Sequence, residues 1–274
     1  MIFDATHCQL GEGPLWHPVR KQLFWCDILG KRLHTKGQHW DFNTYVSAAG
    51  WVDHDTLIVA TANGLYRFDL RTGDTTLLCN LEARNSATRS NDGRADPQGG
   101  FWIGTMGVHA QMGAGAIYRY YRGELRVLFT DLQITNAICF APSGDTAYFT
   151  DTNTQMIMAV ALDADGWPKG APRIHIDLRD TDFRPDGAVV DSVGNLFSAQ
   201  WGVGRVAVYD PQGTFTKAFP LPALQSSCPA FGGADLSTLF CTTAAVGLDG
   251  PGDGQTYQFE TSYTGQAEHR VILG

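Results

Sequence analysis

Two carboxylates and an amide stand out along this chain because each interrupts an apolar or turn-rigid context. Glu12 sits in Gly11-Glu12-Gly13-Pro14-Leu15-Trp16, with a glycine on either side and a proline behind. Glycines there let backbones approach closely and hold the carboxylate rather than leave it trailing in solvent. Asn136 precedes the apolar run Ala137-Ile138-Cys139-Phe140, and Asp186 stands in Arg184-Pro185-Asp186-Gly187 just before Ala188-Val189-Val190. Singly, each also fits an ordinary turn residue. Together they are a hard, oxygen-only donor set suited to one divalent cation, with room left for water or substrate. A fourth cluster, Arg89-Ser90-Asn91-Asp92-Gly93-Arg94, places Arg89 and Asn91 two residues apart, hence on one side of an extended segment. A solvated Asn-Asp-Gly turn accounts for Asp92 and Gly93 but leaves Arg89 unexplained.

Other chemistry finds no support. There is no GxSxG elbow, HExxH, phosphate-binding loop or dinucleotide fingerprint. The eight histidines show no ligand spacing, and Trp16-His17-Pro18 reads as structural. Asp163-Ala164-Asp165-Gly166 reads as a hairpin turn, because the later ligands of a calcium loop are missing.

The elements that must position these residues form a repeat. A Gly- or Asp-containing turn followed by an apolar, aromatic or β-branched run recurs around Trp25, Val59, Trp102, Phe149, Phe197 and Phe240, at gaps of 34, 43, 47, 48 and 43 residues. A second strand-like segment follows each copy, as in Gly64–Asp69, Gly115–Tyr120 and Gly204–Tyr209, with period-two alternation. Units of this length fit four-stranded antiparallel blades, and six of them fill residues 1–274 as one all-β, six-bladed propeller. A β-sandwich fits six similar units poorly. In this frame Glu12, Asn136 and Asp186 each start the inner strand of a blade and point into the central channel. The polar stretch Glu82–Asp96 reads as a long connection between blades, a place where function is often carried.

Composition narrows the remaining classes. Hydrophobic residues are 43% and charged residues 18% of 274, as in a soluble globular protein. With 20 Lys and Arg against 28 Asp and Glu, the net charge of −8 argues against nucleic-acid binding. No run is long enough for a membrane span. Met1–Ala5 has neither a basic nor an apolar leader region, which predicts a cytoplasmic protein. The six dispersed cysteines, with no CxxC pair, are then expected to be reduced.

The chain resembles the SMP-30/gluconolactonase/luciferin-regenerating family. The resemblance rests on Gly11–Trp16, Arg89–Gly99, Phe101–Met106, Thr135–Phe140, Pro185–Gly187, Ala199–Gly202 and Ala230–Gly233, in family order over almost the whole chain. It implies a propeller with one central divalent metal, held by Glu12, Asn136 and Asp186. Calcium is the first expectation, with zinc, manganese, magnesium or iron(II) as others. It implies Arg89 and Asn91 as substrate-binding residues and a small sugar lactone as substrate: glucono-, xylono-, arabinono- or galactonolactone. Asp186 is then the general base for the attacking water. Two alternatives stand beside this reading: a metal-dependent esterase or phosphotriesterase-like hydrolase, and a non-catalytic calcium-binding propeller. A propeller needs no partner subunit, so a monomer is expected. Ser226–Phe231 departs from the family pattern by an extra proline, and the segment around Val108–Gly113 is short.

Overall fold

The computed structural model describes residues 1–274. The chain forms six four-stranded antiparallel sheets. The first is built from β2 (Gly11–His17), β3 (Gln22–Asp27), β4 (Arg32–Thr35) and β5 (Gln38–Asp41). The next four sheets repeat this meander and begin with β6 (Val46–Trp51), β10 (Thr88–Ala95), β14 (Thr135–Phe140) and β18 (Arg184–Val190). The last consists of β22 (Gln225–Gly232), β23 (Thr238–Ala244), β24 (Thr256–Glu260) and the N-terminal strand β1 (Ile2–Asp4). Packing runs from β2 to β6, β10, β14, β18 and β22 and back to β2. The first strands therefore line a closed ring, as the repeat predicts. Pairing of Ile2 with Tyr257 closes it, the N-terminal strand completing the blade formed by the C-terminal ones.

All six aromatic or β-branched repeat markers fall in the second strand of a blade, where both faces are covered. The core is accordingly not one mass but six apolar clusters, each wedged between neighbouring blades. The seam where the ring closes packs Cys8, Trp16, Leu23, Trp25 and Phe240. His17 is fully buried and its Nε2 lies 3.0 Å from the Asp53 carbonyl oxygen, the structural role expected of it. Asp163 accepts the backbone N–H groups of Asp165 and Trp167, confirming a hairpin turn.

One expectation is corrected. Glu82–Asp96 is not a long connection: Thr88–Ala95 is the inner strand β10, and only Leu81–Ala87 link the blades. The segment is polar because it faces a polar channel and its side chains bond to one another, so apolar alternation is missing from a true strand. Pro229, the extra proline, sits in inner strand β22 opposite Cys241. A first strand is an edge of its sheet, where a missing N–H is tolerated.

The C-terminal segment after β24 crosses one end of the channel. Gln266 Nε2 donates to the carbonyls of Phe140 and Val190, the Val271 and Ile272 N–H groups donate to Trp51 and Gly99, and Glu268 pairs with Arg94. These contacts lie toward the C-terminal ends of the inner strands. The N-terminal ends stay open.

Candidate metal centre and catalytic cavity

Every inner strand carries one extra residue against its second strand. The register slips between Glu12 and Leu15, Val46 and Ala48, Ser90 and Gly93, Asn136 and Cys139, Pro185 and Ala188, and Ser226 and Cys228. A bulge bends its strand and re-aims a side chain. Glu12, Asn91, Asn136 and Asp186 all occupy or adjoin such bulges. Two local features make these bends. Gly13 has φ +53°, and a Cβ there would lie 2.6 Å from the Ser47 carbonyl oxygen, so glycine is required. Ala137 adopts φ +54° although it has a side chain, a strained conformation costing about 1–2 kcal/mol.

The predicted residues come together. Glu12, Arg89, Asn91, Asn136 and Asp186 line one cavity of about 570 Å³ at the open end of the channel. All five are buried, at 6%, 7%, 6%, 3% and 5% exposure respectively. Asn91 links the two groups the sequence singled out. Its Oδ1 accepts from Arg89 Nη1 at 2.7 Å, and its Nδ2 donates to Asn136 Oδ1 and to the Thr135 carbonyl, both at 2.9 Å. Arg89 Nη1 also donates to the Ser90 carbonyl at 2.9 Å. Asn136 Nδ2 donates to Thr152 Oγ1 at 2.9 Å, and Thr152 donates in turn to the Pro185 carbonyl at 2.8 Å, next to Asp186. This chain fixes the Asn136 amide with its oxygen on the Asn91 side.

Charge is out of balance here. Burial, then the nearby Asp92 carboxylate, pushes Glu12 up to about 8, against the opposing pull of the Gly13 N–H and Arg89. Burial, then Glu12 and Asp92, holds Asp186 well above the usual carboxylate range. Asp92 is itself raised to about 6, chiefly by burial. Glu12 and Asp186 thus share one nearby guanidinium, Arg89, itself lowered by burial, while Asp92 is offset by Arg94. A cavity wall carrying two carboxylates and an amide oxygen, with this deficit of positive charge, fits a divalent cation by donor chemistry. A Glu12 carboxyl raised in the folded state keeps a proton that the unfolded chain has lost. The Glu12 contribution to stability is therefore full below about pH 4.5 and is lost as pH rises toward about 8. Four histidines, His17, His34, His175 and His269, are lowered by burial and pull the opposite way. The test is therefore a difference: in chelator, Glu12→Gln should gain melting temperature relative to the unsubstituted protein as pH rises across that range, and a difference independent of pH would refute the burial argument.

Several lining residues had no signal in the sequence. Tyr45, Thr152 and Asn153 come from connections outside any periodic pattern, whereas Trp201, which ends a second strand, lies in the Ala199–Gly202 segment of the resemblance but is not singled out there. Arg184 Nη1 donates to Asn153 Oδ1 at the rim. Leu10, Leu29, Ile134 and Val246 form an apolar wall. Val108 and Ala110, from the short segment noted above, also face the cavity.

A separate potential metal-binding triad lies elsewhere. Ligand atoms of Cys8, Asp27 and His34 all fall within 4.8 Å of one another. None of the three lines the cavity. All six cysteines are free thiols, as expected.

Fold and cavity define a β-propeller with a set of buried polar side chains at the open end of its channel. The match to the SMP-30/Gluconolactonase/LRE-like region spans residues 10–245, and the chain belongs to this family of sugar lactonases, which open lactone rings by hydrolysis. Pentonolactonase XacC of Haloferax volcanii is 32% identical, over 98% of this chain and 97% of its own. The L-arabinolactonase of Azospirillum brasilense is 33% identical, over 98% and 94%. The calcium-binding protein regucalcin from Agrobacterium tumefaciens, a crystal structure, superposes with a TM-score of 0.96 at 36% identity, covering 99% of this chain and 97% of that one.

Proposed function

We propose that this protein hydrolyses a sugar-acid lactone to the aldonic acid at the cavity bounded by Glu12, Asn136 and Asp186, with one divalent cation held by these three residues. The observation that carries the reading is the hydrogen bond from Asn91 to Asn136, which joins the Arg89–Asn91 pair to the oxygen-donor set inside one buried cavity. A cation alone would need no arginine beside it. Pentonolactonase and arabinolactonase relatives along nearly the full chain support an aldonolactone as substrate.

When bound, the cation supplies Lewis-acid stabilisation of the charge that builds on the lactone carbonyl oxygen. Asp186 accepts a proton from the attacking water as the new C–O bond forms. That proton passes to the ring oxygen as its bond to the acyl carbon breaks, so the product is one ring-opened hydroxy acid. Arg89 uses Nη1 on Ser90 and Asn91, and its other N–H groups make no hydrogen bond within the protein. They are available to hold the carbonyl or a ring hydroxyl and so lower the orientational cost. Asn91, anchored on three protein partners, keeps that guanidinium in register. Arg89→Ala should cut kcat/KM on the best lactone by roughly 10²-fold, with the greater part in KM. Unchanged kinetics would remove Arg89 from the site.

Thr152 is expected to matter through Asn136. Thr152→Val keeps the shape but strands the Asn136 N–H and the Pro185 carbonyl. Metal affinity, measured by calorimetric titration of stripped protein, should fall about 10–100-fold. An unaltered affinity would show that Asn136 is not a ligand held by this bond.

The apolar wall of Leu10, Leu29, Ile134 and Val246 favours a second reading, hydrolysis of a less hydroxylated ester at the same centre. Comparing kcat/KM for a panel of aldonolactones with aryl esters and an organophosphate separates the two. The lactone reading requires the best aldonolactone to exceed every ester, and the reverse order replaces it with the esterase reading.

A further inference from the structure

We propose that Cys8, Asp27 and His34 form a second, softer metal site, distinct from the catalytic cavity, which takes a zinc-like ion and pins the seam where the ring closes. The three residues come from different parts of that seam. Cys8 lies in the N-terminal segment and donates its backbone N–H to the Gly254 carbonyl of the last blade at 2.9 Å. Asp27 ends β3 and His34 lies on β4, both in the first blade. All are buried, at 1%, 5% and 5% exposure.

Packing alone explains only part of this cluster. Asp27 has a turn role that recurs elsewhere: it accepts the N–H groups of Gln9 and Leu10, just as Asp151 accepts those of Gln133 and Ile134. That role uses Oδ1 twice, for Leu10 and Gly30, but Oδ2 only once, for Gln9. A carboxylate oxygen carries two lone pairs, so Oδ2 keeps one. The thiol and the imidazole are what the first blade adds. His34 Nε2 is buried with no hydrogen-bond partner, and the His34 ring stacks on Trp25 with centroids 5.6 Å apart, the indole N–H of Trp25 facing the Cys8 sulfur. One ring nitrogen of His34 lies within 4.8 Å of the Cys8 sulfur and an Asp27 carboxylate oxygen, and a buried imidazole with an unpartnered nitrogen in such a cluster is unexplained by the fold and is what a metal would satisfy.

The donor set names the ion class. Sulfur, imidazole nitrogen and one carboxylate oxygen suit tetrahedral zinc or cobalt(II) and not calcium or magnesium. Bond lengths of about 2.0–2.3 Å set ligand separations near about 3.5 Å, so atoms now within 4.8 Å close by about 1 Å on binding. His39 pairs directly opposite His34, with ring centroids 5.6 Å apart, but its Nε2 faces Asp41, so the fourth position of the ion is left to water. On binding, Cys8 passes its thiol proton to solvent and the thiolate takes the ion. A metal there ties the N-terminal segment to the first blade, where only hydrogen bonds and the apolar seam now hold it.

Cobalt(II) added to metal-stripped Asp186→Asn protein tests this without the cavity's activity. The expected result is a thiolate-to-cobalt charge-transfer band with tetrahedral visible absorption, and a melting temperature raised by cobalt or zinc. Cys8→Ser should lose the band while its metal-free melting temperature stays within a few degrees. His34→Gln should weaken cobalt binding at least about tenfold. Absence of the band in protein with Cys8 intact overturns the proposal whatever the variants do. Persistence of the band in Cys8→Ser assigns the sulfur to another cysteine and overturns it equally. Either failure leaves the lactonase reading untouched, since neither measurement reads turnover.

Discussion

Asp186→Asn abolishes lactone turnover, lowering kcat by at least about 10³-fold, and leaves the metal-free protein as stable as before or more so. The first half rests on chemistry: asparagine keeps the shape of the side chain but accepts no proton from water, and it removes one of two anionic donors. The second half rests on burial. Asp186 sits at 5% exposure, and burial with Glu12 and Asp92 nearby holds it far above the ordinary carboxylate range. A neutral amide there removes the cost of keeping a buried carboxyl protonated in the metal-free state. Activity and stability thus move apart, which a merely structural aspartate would not produce, since losing a structural carboxylate lowers both. Kinetics on the best lactone together with a thermal melt in chelator checks both halves. Full turnover in this variant removes Asp186 as the base, and a large loss of metal-free stability removes the account of its surroundings.

Stripping the cation is the second large effect. Chelation should reduce turnover about 10³-fold or more, and adding back an oxygen-preferring divalent ion should restore it. Stability should follow by mass action: at an ion concentration about 100 times the dissociation constant, the folded state gains about 2.7 kcal/mol. For a domain of this size that raises the melting temperature by roughly 5–10 °C. The gain should grow with pH from about 5 to about 8, because the ion competes with the proton that Glu12 otherwise keeps up to about 8. Glu12→Gln should flatten that dependence. A gain independent of pH would place the ion away from Glu12.

The blades were legible because their second and third strands bury one or both faces and repeat an apolar phrase, with Trp25, Trp102 and Phe197 in corresponding strands. Inner strands were harder to read. In β10 the residues Arg89, Ser90, Asn91 and Asp92 are polar yet buried, since they face a polar channel and bond to one another and to neighbouring strands. Alternation of apolar and polar residues, the usual mark of a strand, is absent there, and the segment looked like a connection. Glu12, Asn136 and Asp186 were visible for the opposite reason, as isolated polar groups among glycine, proline and apolar runs. Thr152 was not, because its part depends on the Asn136 amide and the Pro185 carbonyl meeting it from two blades. Nor was the pairing of Arg94 with Glu268, which closes the far end of the channel. The Cys8, Asp27 and His34 cluster follows no ligand spacing, since one member joins the other two only when the ring closes.

The most direct test measures acid release from gluconolactone, xylonolactone, arabinonolactone and galactonolactone, each corrected for spontaneous opening. Metal-stripped protein is used alone and with each divalent ion added back. The account predicts no turnover without metal, turnover of one or a few lactones with one bound ion per cavity, and none in Asp186→Asn with any ion. Undiminished hydrolysis by stripped protein, or no hydrolysis of any lactone with any ion, would contradict it.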